Sequence, residues 1–131
     1  MQAAFLSAKL PHLGRMNEER RRIAERYLTE ITNTQILLPY VLKETNPVWH
    51  IFAVRCTKRD KLAEYLNEAG IGTNKHYPIP MHLQEAYKEL MIPKGALPIA
   101  EEISATELSL PMYYGMTDEQ ISYVIDVINK Y

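Results

Sequence analysis

The sequence begins with a helical pattern that is too long for a domain of this size. From Gln2 to about Ile31 apolar residues recur at helical spacing, interrupted only by Pro11 and Gly14. About thirty helical residues span roughly 45 Å, whereas a compact domain of this mass is only about 30 Å across. We therefore expect one of two arrangements. Either the helix bends near Pro11, or its first turns pack on something outside this chain.

The first turns of this helix have the composition of a contact surface. Residues 3–13 are mostly apolar, and no capping residue precedes them. A large apolar patch of this kind does not usually stay in water. We expect it to be covered by a second copy of the chain or by something else that this chain does not contain.

Composition indicates an ordinary single domain and excludes several classes of function. The 131 residues are 47% hydrophobic and 24% charged, and the net charge is −1. Binding of nucleic acid by bulk electrostatics needs a basic excess, which this chain lacks. The single cysteine, Cys56, excludes an internal disulfide and a cysteine-rich metal site, and it favours a cytoplasmic location. No apolar run has the length of a membrane helix, so no membrane partner is expected.

The rest of the chain predicts one α+β domain over residues 1–131. Strands or extended segments are expected over Ile36–Leu42, Val48–Cys56, Ile71–Tyr77 and Glu107–Leu110. Helices are expected after Thr57, over Leu83–Leu90, over Leu97–Thr106 and after Thr117. The expected architecture is a small, mainly antiparallel sheet with helices packed on one face, preceded by the long helix over residues 1–31.

Five local signals refine this prediction. Val48–Cys56 is apolar on both faces, which is typical of a central strand, and Pro39 makes Ile36–Leu42 an edge strand. Thr57 is expected to cap the following helix, which Gly70 ends. Residues 117–120 read TDEQ, a capping box for the last helix.

Two of the four histidines flank a rigid proline segment. His76 precedes and His82 follows the sequence Pro78-Ile79-Pro80, in which each proline restricts the backbone. Side chains held on such a loop are typical of binding sites. The residues alone leave two readings open, a general base or ligand-binding histidine and a purely structural loop. A metal site is disfavoured, because the nearest further carboxylate, Glu85, completes no known zinc spacing.

The segment around these histidines resembles one found in a known enzyme family. Residues 70–84 read GIGTNKHYPIPMHLQ, which is similar to a segment of the DegT/StrS-like nucleotide-sugar aminotransferases. These are pyridoxal-phosphate (PLP) enzymes with the aspartate-aminotransferase type of fold. Three other segments agree in order and spacing: the first helix, VWHIF at residues 48–52, and LSLPMY at residues 108–113 followed by TDEQ. The resemblance covers essentially the whole chain.

The resemblance implies the smaller, C-terminal part of such an enzyme. In the family a large N-terminal domain binds PLP and supplies the lysine that forms the Schiff base. This chain would begin inside the helix that joins the two domains, which gives a second reason for the length of that helix. We therefore expect no cofactor to be bound by this chain alone, none of its eight lysines to be the Schiff-base lysine, and no transamination without the missing domain.

The resemblance also implies contacts with substrate. In related enzymes the segment that matches His76 and Tyr77 lines the sugar-nucleotide site, often across a dimer interface. His76, Tyr77 and His82 are carried over as substrate-binding candidates, with no catalytic, cofactor or metal residue assigned. Asn74 and Lys75 depart from the family pattern, and Lys75 is expected to face a nucleotide phosphate or solvent. The implied role is the supply of amino sugars for cell-surface polysaccharide, including lipopolysaccharide.

Three hypotheses of function follow. In the first, the chain is the C-terminal domain of a sugar-nucleotide aminotransferase, inactive alone, whose partner is a second copy or the missing PLP domain. In the second, it is a non-enzymatic module that dimerises through the apolar first helix. In the third, it is a small enzyme that uses His76 and His82. The third ranks last, because neither histidine has an acid or nucleophile partner that is evident in the sequence.

Overall fold

The computed structural model describes residues 1–131 as five α-helices, two β-strands and three short 3-10 segments. The helices are α1 (Gln2–Lys9), α2 (Leu13–Glu30), α3 (Arg59–Glu68), α4 (Pro98–Thr106) and α5 (Asp118–Lys130). The strands are β1 (Phe52–Arg55) and β2 (Glu107–Leu110). The 3-10 segments are Leu10–His12, Met81–Leu83 and Glu85–Leu90. None of the helices combines the length and the apolar character needed to cross a lipid bilayer.

The first two helices form one continuous run of helical turns. The 3-10 segment Leu10–His12 joins α1 to α2, and the backbone stays in the right-handed helical region through the junction. Pro11 is tolerated there because it lies at the start of a helical segment, where a missing N–H is least costly. Residues 1–15 are all exposed, so the first turns do not bend back onto the domain. The arrangement in which a bend returns these turns to the domain is therefore not the one observed, and their packing on something outside this chain stays a prediction.

The sheet is short and antiparallel. β1 pairs with β2, and Val54 lies opposite Leu108. One isolated bridge continues the sheet on each side, since Leu37 pairs with β1 and Asn74 pairs with β2. Both bridges are antiparallel. The mainly antiparallel sheet that the sequence predicts is therefore present, although two of its four segments contribute only a single bridge.

Two strand predictions were wrong in extent. Ile36–Leu42 forms only the single bridge, because Pro39 has no N–H to donate to a longer ladder. Val48–Cys56 shortens to β1, because Trp49 has a φ of 51°, which lies outside the strand region. Ile71–Tyr77, expected as a strand or an extended segment, contributes a bridge to β2, which agrees with that expectation.

Three further predictions, about the faces of a strand, the cap of a helix and the type of another helix, were also wrong. β1 alternates between buried and half-buried residues, so only one of its faces is fully buried. Lys58 takes the position before α3, and no side chain caps that helix, so Thr57 is not its cap. Residues 83–90 form 3-10 turns rather than an α-helix.

The ends of α3 and α5 agree with the sequence. Gly70 follows α3 with a φ of 75°, a conformation that glycine adopts without a steric penalty. At α5 the capping box is complete: the Gln120 N–H donates to the Thr117 hydroxyl at 3.2 Å, and the Thr117 N–H donates to the Gln120 side chain at 3.0 Å. The last helix therefore begins where the sequence predicts.

The core lies between the buried face of the sheet and the helices. Tyr27 of α2 and Phe52 of β1 are fully buried, and their rings meet edge to face with centroids 5.1 Å apart. The Tyr27 hydroxyl donates to the Pro111 carbonyl at 2.9 Å, which satisfies the one polar atom of that side chain. Helices α3 and α5 supply Leu62, Leu66, Ile121, Ile125 and Ile128.

Phe52→Ala should destabilise the fold strongly. Loss of the fully buried ring removes its contact with Tyr27 and leaves a cavity, so we expect the free energy of unfolding to fall by about 3–5 kcal/mol. Tyr40→Ala is the matched control, because that side chain is 84% exposed, and its effect should stay within about 0.5 kcal/mol. Urea unfolding measures both. Equal losses for the two variants would contradict this description of the core.

Candidate functional site

His76 lies at the end of a line of hydrogen bonds that starts at a buried carboxylate. Glu107 and Ser109 are two residues apart on β2 and therefore lie on the same face of the strand. Their exposed fractions are only 4% and 5%. The Ser109 hydroxyl donates to Glu107 Oε1, and the His76 backbone N–H donates to Glu107 Oε2 at 2.7 Å. Ser109 Oγ also lies 2.8 Å from His76 Nδ1, so carboxylate, hydroxyl and imidazole are connected in sequence.

Asn74 approaches the other nitrogen of the same ring. Its backbone forms the bridge to Ser109, with N–H to carbonyl distances of 3.2 and 2.8 Å. Its side-chain Nδ2 lies 3.2 Å from His76 Nε2. These three residues are among those that line a surface depression of about 250 Å³. Both ring nitrogens of His76 are therefore engaged, in a place that a ligand can reach.

Tyr77 and His82 line a second and larger groove beside this depression. The Tyr77 side chain is 69% exposed, and its ring meets the His76 ring at 87° with centroids 5.5 Å apart. The groove has a volume of about 530 Å³. Most of its other lining residues are apolar, including Ile79, Met81, Tyr87, Leu90, Leu97 and Ile103. The three residues named from the sequence thus lie in two adjacent hollows rather than in one.

His82 is buried and pairs with Glu101 of α4. His82 Nε2 lies 3.0 Å from Glu101 Oε1, and that oxygen also accepts the Gly95 N–H at 2.7 Å. Burial raises the pKa of Glu101, but the hydrogen bonds from Gly95 and His82 outweigh it, so the net pKa lies below its ordinary value. The pair ties the 3-10 segment of His82 to the loop that precedes α4.

Lys75 pairs with an acid that the sequence did not indicate. Its Nζ lies 2.7 Å from Asp60 Oδ1, at the start of α3. The hydrogen bond from Lys75 is the largest cause that holds the pKa of Asp60 below its ordinary value. The lysine is therefore the partner of Asp60 at a partly exposed position, and contact of Lys75 with a nucleotide phosphate stays a prediction.

The residues that sequence reasoning missed are the partners of the two histidines. Glu107 and Ser109 lie 31 and 33 residues beyond His76, and Glu101 lies 19 residues beyond His82. The sequence did contain one signal for Glu107 and Ser109. A glutamate and a serine alternate with leucines in the strand ELSL, so one face of an otherwise apolar strand needs polar partners.

Comparison with known proteins assigns the chain to a family. The sequence profile of the DegT/DnrJ/EryC1/StrS aminotransferase family matches residues 1–129. The chain belongs to this family. It is 42% identical over 131 residues to the dTDP-3-amino-3,6-dideoxy-alpha-D-galactopyranose transaminase of Aneurinibacillus thermoaerophilus, which covers 100% of this chain and 36% of that protein.

Two solved structures from the family share the fold. A crystal structure of Streptomyces venezuelae DesV in complex with a ketimine intermediate has a TM-score of 0.96 and 40% identity over 99% of this chain and 35% of that one. The PLP form of the putative sugar aminotransferase Spr1654 from Streptococcus pneumoniae has a TM-score of 0.83 and 26% identity, over 94% of this chain and 33% of that one. The predicted α+β class and the family resemblance are confirmed. The chain spans about a third of the length of these relatives.

The family is PLP-dependent, but the lysines of this chain do not have the surroundings that the cofactor needs. A Schiff-base lysine needs a pocket with a carboxylate for the pyridine nitrogen and donors for the phosphate. Seven of the eight lysines are exposed, and the half-buried Lys75 is paired with Asp60. No group of three or more histidine, cysteine and acidic side chains is placed to hold a metal ion. No cofactor step is therefore assigned to residues of this chain.

Glu101→Gln should flatten the acid dependence of stability. Because the folded pKa of Glu101 lies below the ordinary 4.5, the carboxylate stabilises the fold above its unfolded pKa and loses that contribution as the pH falls through the folded value. Thermal unfolding between about pH 6 and pH 3 should show a steeper decline for the unmodified chain than for the variant. Glu89→Gln, at an exposed side chain without a hydrogen bond or ion pair, should leave the slope unchanged. Parallel curves for Glu101→Gln and the unmodified chain would refute the role of the His82–Glu101 pair.

Proposed function

We propose that this chain is the C-terminal domain of a PLP-dependent nucleotide-sugar aminotransferase and forms one wall of its substrate pocket. The observation that carries this proposal is that the whole chain matches about a third of the length of its relatives. It is 42% identical to a sugar transaminase, and it has a TM-score of 0.96 with the DesV structure. A dTDP-linked amino sugar appears in the name of one relative, so a sugar nucleotide is the proposed substrate class. The product would serve cell-surface polysaccharide synthesis, such as that of lipopolysaccharide, in the cytoplasm.

The proposal divides the chemistry between two parts of the enzyme. The remaining two thirds would hold PLP and supply the Schiff-base lysine; exposure of seven of the eight lysines here and the pairing of Lys75 with Asp60 support this division. When bound, PLP supplies the electron sink for transfer of the amino group. This chain supplies binding and orientation, and it is inactive alone.

The proposed substrate contacts are His76, Tyr77 and His82. His76 offers a ring edge in the smaller depression, where a polar group of the sugar could bind. Tyr77 offers an exposed aromatic ring and hydroxyl at the mouth of the groove. His82 acts as part of the groove wall, since Glu101 already engages its Nε2.

The partner surface in this proposal is the apolar side of α1. Phe5, Leu6 and Leu10 are each 65–68% exposed, and the helix has no buried residue. A hollow of about 600 Å³ lies along this face. The missing PLP domain is the proposed cover, with a second copy of the enzyme completing a homodimer.

The second candidate function is a dimerisation module without catalytic activity. The same exposed face of α1 favours it, because two copies could bury this surface against each other. It is distinguished by sedimentation at micromolar concentration. A module of this kind forms a stable dimer alone and gains no activity from an added PLP domain.

A fusion protein tests the first proposal. Replacing the matching third of the Aneurinibacillus thermoaerophilus transaminase with this chain should give a protein that transaminates a sugar nucleotide. The chain alone should show no activity and no stoichiometric, borohydride-reducible PLP adduct on a lysine, because none of its lysines lies in a suitable pocket.

The matched control is the same transaminase without that third, which should also be inactive. A folded fusion that binds PLP but does not transaminate would count against the proposal. A reducible adduct on one lysine of the isolated chain would do the same.

A further inference from the structure

The hydrogen bonds around His76 have a direction that the donors and acceptors determine. We infer that Glu107 and Ser109 are positioning residues that hold the neutral His76 ring in one tautomer, with the proton on Nδ1 and an acceptor lone pair on Nε2. The inference rests on the buried contacts of β2 and on the amide of Asn74. Its consequence for the ligand rests on the proposed function.

The carboxylate of Glu107 determines the direction of the hydrogen bond from Ser109. Both of its oxygens accept: Oε2 takes the His76 backbone N–H and Oε1 takes the Ser109 hydroxyl. A carboxylate has no proton to donate. The single proton of Ser109 is therefore directed toward Glu107.

The contact between Ser109 and the His76 ring determines which ring nitrogen carries the proton. With its proton used, Ser109 Oγ has only lone pairs left for His76 Nδ1, which lies 2.8 Å away. A hydrogen bond at this distance then requires the proton to be on Nδ1. Burial of Ser109 at 5% exposure leaves little room for water to replace the hydroxyl.

Asn74 favours the same tautomer from the other side of the His76 ring. Its Oδ1 accepts the Lys75 N–H at 2.9 Å, which orients the amide. The donor nitrogen Nδ2 then faces His76 Nε2 at 3.2 Å, so this ring nitrogen carries a lone pair. The Asn74 contact is longer and more exposed than the contact with Ser109, so it supports the same tautomer but is the weaker of the two.

This arrangement is not a nucleophilic triad. In such a triad the serine donates to the histidine and the histidine donates to the acid. Here Ser109 stands between Glu107 and His76, donates to the acid, and is buried. The serine transmits the direction of the hydrogen bonds and does not attack a substrate.

The tautomer determines which kind of ligand group can form a hydrogen bond with His76 Nε2. A lone pair on Nε2 accepts from a hydroxyl or amino group and does not donate to a phosphate oxygen. The bond from Asn74 is at the long end of the usual range, so a ligand donor could replace it. We therefore expect His76 to recognise a sugar hydroxyl or amine, with the phosphates bound elsewhere.

Long-range ¹H–¹⁵N correlation spectra of the labelled chain, recorded at about pH 8 where histidine is neutral, test the tautomer directly. His76 is assigned by comparison with His76→Gln. The expected pattern is that of Nδ1–H. An Nε2–H pattern in the unmodified chain would overturn the inference without any variant.

Glu107→Gln should reverse the chain of hydrogen bonds. The carbonyl oxygen of the new amide is needed by the His76 N–H, so its NH₂ group faces Ser109 and donates to it. The serine proton then points to Nδ1, and the ring proton moves to Nε2. Ser109→Ala should weaken the preference for Nδ1–H, because only the longer contact with Asn74 then favours it, and it keeps the test decisive if Glu107→Gln does not fold.

Glu101→Gln is the matched control in the same spectra. It alters the buried partner of His82 and should leave the His76 pattern unchanged. An unchanged Nδ1–H pattern in both folded Glu107→Gln and Ser109→Ala would overturn the positioning role.

The ligand consequence is tested in the fusion protein. Glu107→Gln should raise the KM for the sugar nucleotide roughly two- to tenfold, as expected for one lost hydrogen bond, and leave the KM for the amino donor unchanged. An unchanged KM for the sugar would overturn the ligand assignment. A fusion that is inactive before any substitution would instead count against the proposed function, and the spectra would still decide the tautomer.

Discussion

Strand β2 is buried along its whole length, and its two faces have opposite chemistry. Leu108 and Leu110 belong to the hydrophobic core, whereas Glu107 and Ser109 point to the other side. A buried carboxylate is costly unless its oxygens are hydrogen-bonded. The segment that carries His76 meets this need, because its backbone donates to Glu107. The same strand therefore stabilises the core on one face and positions the site on the other.

The elements of the fold were not all equally predictable from the sequence. The last helix, β2 and the end of α3 follow from local signals: a capping box, an alternating pattern and a glycine with positive φ. The length of the outer strands did not follow from local signals, because ladder pairing depends on neighbours far along the chain. Pro39 and the unusual backbone of Trp49 end those strands early.

His76, Tyr77 and His82 remain proposed substrate contacts, and the sequence did not reveal the side chains that partner the two histidines. The resemblance directed attention to His76, Tyr77 and His82, and the segment does border two hollows. The acids that partner the histidines come from β2 and α4, and no spacing rule connects elements so far apart in sequence. The pairing of Lys75 with Asp60 is of the same kind. Contacts of this type join residues that are far apart in sequence, so they are known only from the folded structure.

The distribution of apolar surface is consistent with part of a larger enzyme. Only 22 of the 131 residues are buried, because α1 and the segment from residue 77 to residue 103 place few side chains in the core. Both regions expose apolar side chains beside hollows of about 600 and 530 Å³. In the proposed enzyme these surfaces face the PLP domain, the substrate and the second subunit.

Hydrogen exchange of the α1 amides tests this account most directly. The account predicts fast exchange over residues 2–12 in the isolated chain and strong protection of the same residues in the fusion, because the apolar face is then covered. Helix α5, whose apolar face is already buried, should be protected in both proteins. Equal, fast exchange of α1 in the isolated chain and in an active fusion would contradict the claim that the rest of the enzyme covers this helix.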